Sequence, residues 1–100
     1  MIVIAAKIKV KPQKKRDFMK VAKNVIGPSR KEKGCISYNL YAETDDSNGF
    51  LFFEEWESEE AIHAHFREPH FIDFAMKNKS MIDGDMDLNI YEAERKMLNE

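Results

Sequence analysis

The chain has 100 residues, 43% of them hydrophobic, with 16 basic and 18 acidic side chains and a formal net charge of -2. That length suits one core and excludes a second domain of ordinary size, and the balanced charge offers no surface for a polyanion, so nucleic acid is not an expected partner. Cys35 is the only cysteine, which excludes an internal disulfide and a cysteine-based metal site.

The apolar run Met1 to Ala6 is broken by Lys7 and Lys9 and lacks a cationic leader. It predicts neither a signal peptide nor a membrane span, so a cytoplasmic protein is expected. From Ile2 to Val10 the residues alternate, with Ile2, Ile4, Ala6, Ile8 and Val10 on one face, which predicts a strand. Pro12 opens a helix in which Phe18, Val21, Ala22, Val25 and Ile26 recur at helical spacing, while Lys14, Lys15, Arg16, Lys20 and Lys23 form a solvated face. Gly27 and Pro28 are expected to kink this helix, and Gly34 to supply a left-handed turn after it.

A second strand is predicted over Ile36 to Glu43, with Ile36, Tyr38 and Leu40 opposite Ser37, Asn39 and Tyr41. The turn DDSNG, Asp45 to Gly49, joins it to a third strand from Phe50 to about Glu57, giving an antiparallel hairpin. Ser58 is the expected N-cap of a short helix, with Glu59 and Glu60 in the first turn where the dipole favours anions. On that helix Ile62, His65 and Phe66 share the apolar face, and His63 turns toward water. Pro69 restarts the helix, whose inward face continues through Phe71, Phe74 and Ala75 to about Ser80. Met86, Leu88 and Ile90 alternate as a fourth strand. Residues 1–92 therefore read as one domain, and 93–100 as a tail whose Met97 and Leu98 are suited to reaching a partner subunit.

Strand, helix, strand, strand, helix, strand is the order of a ferredoxin-like split βαβ fold of the α+β class. Right-handed crossovers put both helical connections on one face of a four-stranded antiparallel sheet. The third strand is nevertheless apolar on both sides, with Phe50, Phe52 and Trp56 on one and Leu51 and Phe53 on the other. A soluble monomer does not leave such a face in water, so two sheets are expected to pack face to face in a homodimer.

The stretch Phe50 to Phe74 holds the single Trp, all three His and six of the seven Phe. Residue types alone allow two readings: a packed core with satisfied histidines, or a small-molecule pocket with a His at its rim. No Gly-rich nucleotide fingerprint follows a strand. His63 and His65 are two apart and diverge, whereas His65 and His70, separated by Pro69, are able to converge; no metal or other cofactor is expected.

Two segments, EKGCISYNLY (Glu32 to Tyr41) and FEEWESEEAIHAHFREPHF (Phe53 to Phe71), resemble the antibiotic biosynthesis monooxygenase family of dimeric α+β barrels. The match covers roughly residues 1–92, and the Trp, the Ala64–His65 pair and the Pro69–Phe71 triplet keep the family's order and spacing. The resemblance implies a cofactor-independent monooxygenase acting on a small electron-rich hydroxyarene, quinol or polyketide-like substrate. In that chemistry the substrate loses a proton and passes an electron to dioxygen inside a water-excluding cavity. It implies His65 as the base, walls from Trp56, Phe52, Phe66, Phe71 and Phe74, and His70 as a second polar contact. Haem degradation is disfavoured, because the first strand lacks the Asn that the haem-degrading members use. An isomerase of a small signal molecule and a non-catalytic dimeric binding protein are the alternatives.

Overall fold

The computed structural model describes residues 1–99. Strand β1 (Ile2–Lys9) leads through a 3₁₀ turn at Pro12–Lys14 into helix α1 (Lys15–Arg30). Strands β2 (Cys35–Ala42) and β3 (Gly49–Trp56) form the hairpin, followed by α2 (Glu59–Phe66), α3 (Pro69–Asn78) and β4 (Asp87–Glu92). The sheet order is β2-β3-β1-β4 with antiparallel pairing throughout, as the ferredoxin-like expectation requires. Among the described residues no helix is long and apolar enough to cross a membrane.

The register decides which parity faces the helices. Ile2, Ile4, Ala6 and Ile8 pair with Trp56, Glu54, Phe52 and Phe50, so the even positions of β1 and β3 share one face. That face is buried under Phe18, Val21, Ala22 and Val25 of α1, Ile62 of α2 and Phe74 of α3. The odd positions form the other face, where Leu51 and Phe53 are half-buried between Lys7, Tyr41, Ala5 and Asn39.

Gly27 and Pro28 both lie inside α1, which runs on as α-helix to Arg30. A proline near the last turn removes only one hydrogen bond, and Ser29 beside it is fully buried. In β2 the register shifts between Cys35 and Ser37, so Cys35 stands opposite Trp56 and Ile36 bulges out to 46% exposure instead of sharing the face of Tyr38. Gly34 has φ 88°, and a Cβ there would lie 2.6 Å from the Cβ of Ala61, so the turn after α1 packs directly beneath α2.

The hairpin turn behaves as its sequence dictates: Asp46 accepts from the Asn48 amide at 3.0 Å through its side chain. Ser58 caps α2 by accepting from the Ala61 amide at 3.2 Å. Strand β4 is the exception to good burial. Leu88 and Ile90 pair with Ala6 and Ile4 on the helix side, yet are 52% and 56% exposed, because no helix sits on them. Met97 and Leu98 of the tail are also exposed, and Glu100 lies outside the described residues.

Candidate active site

The gap between α3 and the inner face of β4 is a cavity of about 320 Å³, within the range of small-ligand sites. Its floor comes from Ile4 and Ala6 of β1 with Phe52 and Glu54 of β3, and Tyr38 of β2 closes one end. Phe66 of α2 and Phe71 and Phe74 of α3 make an aromatic wall, and Met86, Leu88 and Ile90 make the outer one. The pattern Phe71, Phe74, Ala75, Asn78 at helical spacing turns one side of α3 into the cavity.

Glu54 is the one carboxyl on this lining, and it is 7% exposed. Burial among apolar groups pushes its pKa up to about 7; the Trp56 indole N–H, donating at 3.0 Å, works against that, and the charge of Glu32 adds to it. A carboxyl poised there exchanges its proton readily at neutral pH. Burial also raises the Tyr38 phenol well above its usual range, so it stays protonated as a donor. Asn78 lines the cavity at 5% exposure, and its Oδ1 has no hydrogen-bond partner. An unsatisfied buried acceptor costs on the order of 1–3 kcal/mol. Lys79 supplies the single cation of the lining.

Of the residues singled out in the sequence, Phe52, Phe66, Phe71 and Phe74 line this cavity, whereas Trp56, His65 and His70 do not. Trp56 is fully buried and holds Glu54 from behind. The ring of His65, fully buried too, sits 4.7 Å from Trp56 and 4.8 Å from Phe71 between ring centres. Tyr38 and Phe66 complete that aromatic box. His63 is exposed, as its helical phase requires.

His65 Nδ1 lies 2.6 Å from Glu32 Oε2, and His70 Nε2 lies 2.7 Å from the same oxygen. An ionised carboxylate has no proton to give, so both ring nitrogens donate to it. His65 then carries its lone pair on Nε2, which is buried without a partner. Burial holds the His65 imidazole below its ordinary pKa, against the pull of Glu32 toward the charged form. Glu32, His65 and His70 are also the chain's potential metal-binding cluster among the described residues, with ligand atoms within 4.8 Å of one another.

Sequence reasoning passed over Glu54, Asn78, Tyr38 and Glu32. Glu54 had a signal, because it occupies the inward phase of Phe50, Phe52 and Trp56. Asn78 had one as well, seven residues after Phe71 on the same helical face. Glu32 lies in a turn where no periodicity applies, and its one signal was its place at the head of the EKGCISYNLY segment.

The profile of the antibiotic biosynthesis monooxygenase family matches residues 1–77. The chain belongs to that family. Within it, the chain is 35% identical over 88 residues to the Bacillus subtilis protein called "Putative monooxygenase YcnE", covering 88% of this chain and 93% of that one. It is 42% identical over 91 residues to the uncharacterized protein sll1783 of Synechocystis, covering 91% of this chain and 62% of the relative's length. A solved structure of a conserved protein from Methanosarcina mazei Go1 superposes with a TM-score of 0.89 at 33% identity, covering 93% of this chain and 92% of that one. The family's fold is thus shared from β1 into α3, the segment that carries the floor and aromatic wall of the cavity.

Proposed function

We propose that the protein is a cofactor-independent monooxygenase that binds a small electron-rich hydroxyarene or quinol in the cavity, with Glu54 as its proton acceptor. The observation that carries this reading is a single buried carboxyl, its pKa pushed up to about 7 by burial, in a cavity lined mainly by aromatic and aliphatic side chains. A phenolic hydroxyl donates to Glu54. Proton loss makes the ring a stronger electron donor, and the phenolate passes an electron to dioxygen held beside it. Recombination places one oxygen atom on a ring carbon and releases the other as water, while that carbon goes from C–H to C=O. The substrate supplies all the electrons, so no external reductant enters the balance. The apolar walls keep water from the radical pair.

Glu54 takes the role that the sequence suggested for His65, because it lines the cavity and His65 does not. His65 and Trp56 form the layer behind the wall, with Trp56 orienting the carboxyl through its indole N–H. An isomerase of a phosphorylated signal fits less well, because Lys79 alone would face a doubly negative phosphate in a lining that also holds Glu54.

The same reading includes a homodimer in the cytoplasm. Ala5, Leu51 and Phe53 on the odd face of β1 and β3 give a half-buried apolar centre framed by polar side chains, which a second copy would cover. The tail with Met97 and Leu98 would reach toward that copy. An oxygen-uptake screen of chelator-treated protein against hydroquinones and catechols tests the function. Uptake with formation of a quinone that carries one oxygen atom from dioxygen is expected; binding of these compounds without oxygen consumption would leave a binding protein and sink the enzyme reading.

A further inference from the structure

We propose that Glu32, His65 and His70 form a binding site for one divalent first-row transition ion, zinc foremost, that clamps the turn after α1 to α2 and α3. The three side chains come from positions 33 and 38 residues apart, and they meet at one carboxylate oxygen. Pro69 makes this possible by restarting the helix, so that His70 on α3 returns to the carboxylate that His65 meets from α2. Two imidazoles and one carboxylate suit zinc and its neighbours, whereas magnesium and calcium prefer an all-oxygen shell.

The present arrangement is the proton-filled form of the same seats. Oε2 accepts from both rings at 2.6 and 2.7 Å. A tetrahedral ion with bonds of about 2.1 Å holds neighbouring ligand atoms about 3.4 Å apart, so each nitrogen–oxygen pair must open by less than about 1 Å. The side chains of Glu32 and His70 are 10% and 17% exposed, which gives a solvent route by which an ion would enter. The backbone beneath Glu32 is firm, because its amide donates to Ser29 at 3.1 Å and its carbonyl accepts from Cys35 at 3.1 Å.

A cation also settles the state of His65. With the ion on Nδ1, the ring proton moves to Nε2, which is buried without a partner among Tyr38, Trp56, Phe66 and Phe71. An N–H is a better occupant of aromatic surroundings than a bare lone pair, because ring faces are electron-rich. The cluster lies outside the cavity lining, so this site stands or falls independently of the oxygenase reading.

Titration of chelator-stripped protein with zinc, followed by calorimetry and thermal melting, is the test, with cobalt as a visible-absorbing substitute. One ion per chain is expected, with a melting temperature raised by at least about 5 °C at saturation. Glu32→Gln and His70→Ala should each weaken binding on the order of 100-fold or more, while His63→Ala binds as wild type. Absence of stoichiometric binding by the wild type up to about 1 mM zinc overturns the proposal, as far above a structural-site affinity. So does binding that survives in His70→Ala, a substitution at a partly exposed position whose fold circular dichroism can verify. The wild-type titration decides the matter even if the Glu32→Gln chain fails to fold.

Discussion

Glu54 and Glu32 are two largely buried carboxylates of one small protein, and their surroundings make them opposites. Glu54 stands on a strand in the inward phase of aromatic residues, has one neutral donor in Trp56, and faces a cavity. Glu32 stands in a turn, has two imidazole donors on one oxygen, and faces no cavity. The first is short of hydrogen bonds, and burial therefore leaves it able to take up and return a proton. The second is occupied by two donors and suits holding segments together. Burial alone does not make a carboxylate reactive; what matters is how many donors remain unfilled and whether a substrate can approach.

The largest expected effect separates these two directly. Glu54→Gln keeps the shape and an acceptor for Trp56 but removes the base, so kcat on an accepted hydroquinone should fall by about 10² to 10⁴-fold. His65→Ala should fall far less, because its ring does not line the cavity. Wild-type kcat should rise with pH through about 7, as Glu54 ionises. A full-rate Glu54→Gln enzyme beside an inactive His65→Ala would reverse the assignment and return the proton to the histidine.

The reading of the sequence divides along similar lines. Alternation and helical spacing revealed the strands, the helix faces, the Ser58 cap and the turn before Gly49, because each is a local property with a period. The same periods pointed to Phe52, Phe66, Phe71 and Phe74. They also held Glu54 and Asn78, which were overlooked because polar residues in an apolar phase look like noise until the cavity beside them is seen. The bulge at Ile36 and the convergence of Glu32 on His65 and His70 depend on tertiary contact, and no local pattern encodes them. The parity of β3 needed the register with β1.

The second effect concerns the face away from both carboxylates. Wild-type protein at micromolar concentration should sediment at about twice the 11.7 kDa chain mass. Phe53→Asp puts a charge into the centre of the face proposed to be covered, at a cost of several kcal/mol, and should give a monomer. Because Phe53 points away from Glu54, that monomer should keep the rise of rate through about pH 7 if any turnover remains. A wild-type monomer would remove the dimer from the picture and leave the odd face of the sheet bare.

The third effect reads Glu54 without any substrate. Its pKa is about 7 in the folded chain against an ordinary value of 4.5. Below 4.5 both states are protonated and no penalty exists; between 4.5 and about 7 the unfolded chain ionises first, and stability drains away as pH rises. At about 1.4 kcal/mol for each pH unit between the two values, the loss approaches about 3 kcal/mol. Glu54→Gln lacks this term, so the stability gap between variant and wild type should widen in the variant's favour from pH 4.5 to 7. Denaturant melts at the two pH values measure it, and a constant gap would mean that Glu54 ionises in the fold as it does in water.

The smallest effect tests whether α2 or β3 sets the reactive geometry. Ser58 Oγ accepts from the Ala61 amide at the start of α2, and Ser58→Ala should cost about 1 kcal/mol, or a fall of about 4–8 °C in melting temperature. The loss loosens the first turn of the helix that carries His65 near its other end. Glu54 is held on β3 by pairing with β1 and β2 and by Trp56, none of which involves the cap. Turnover at a temperature well below the melt should therefore match wild type. A kcat that drops along with stability would place the control of the reaction on α2 and its histidine, and would count against the strand carboxyl as the reactive group.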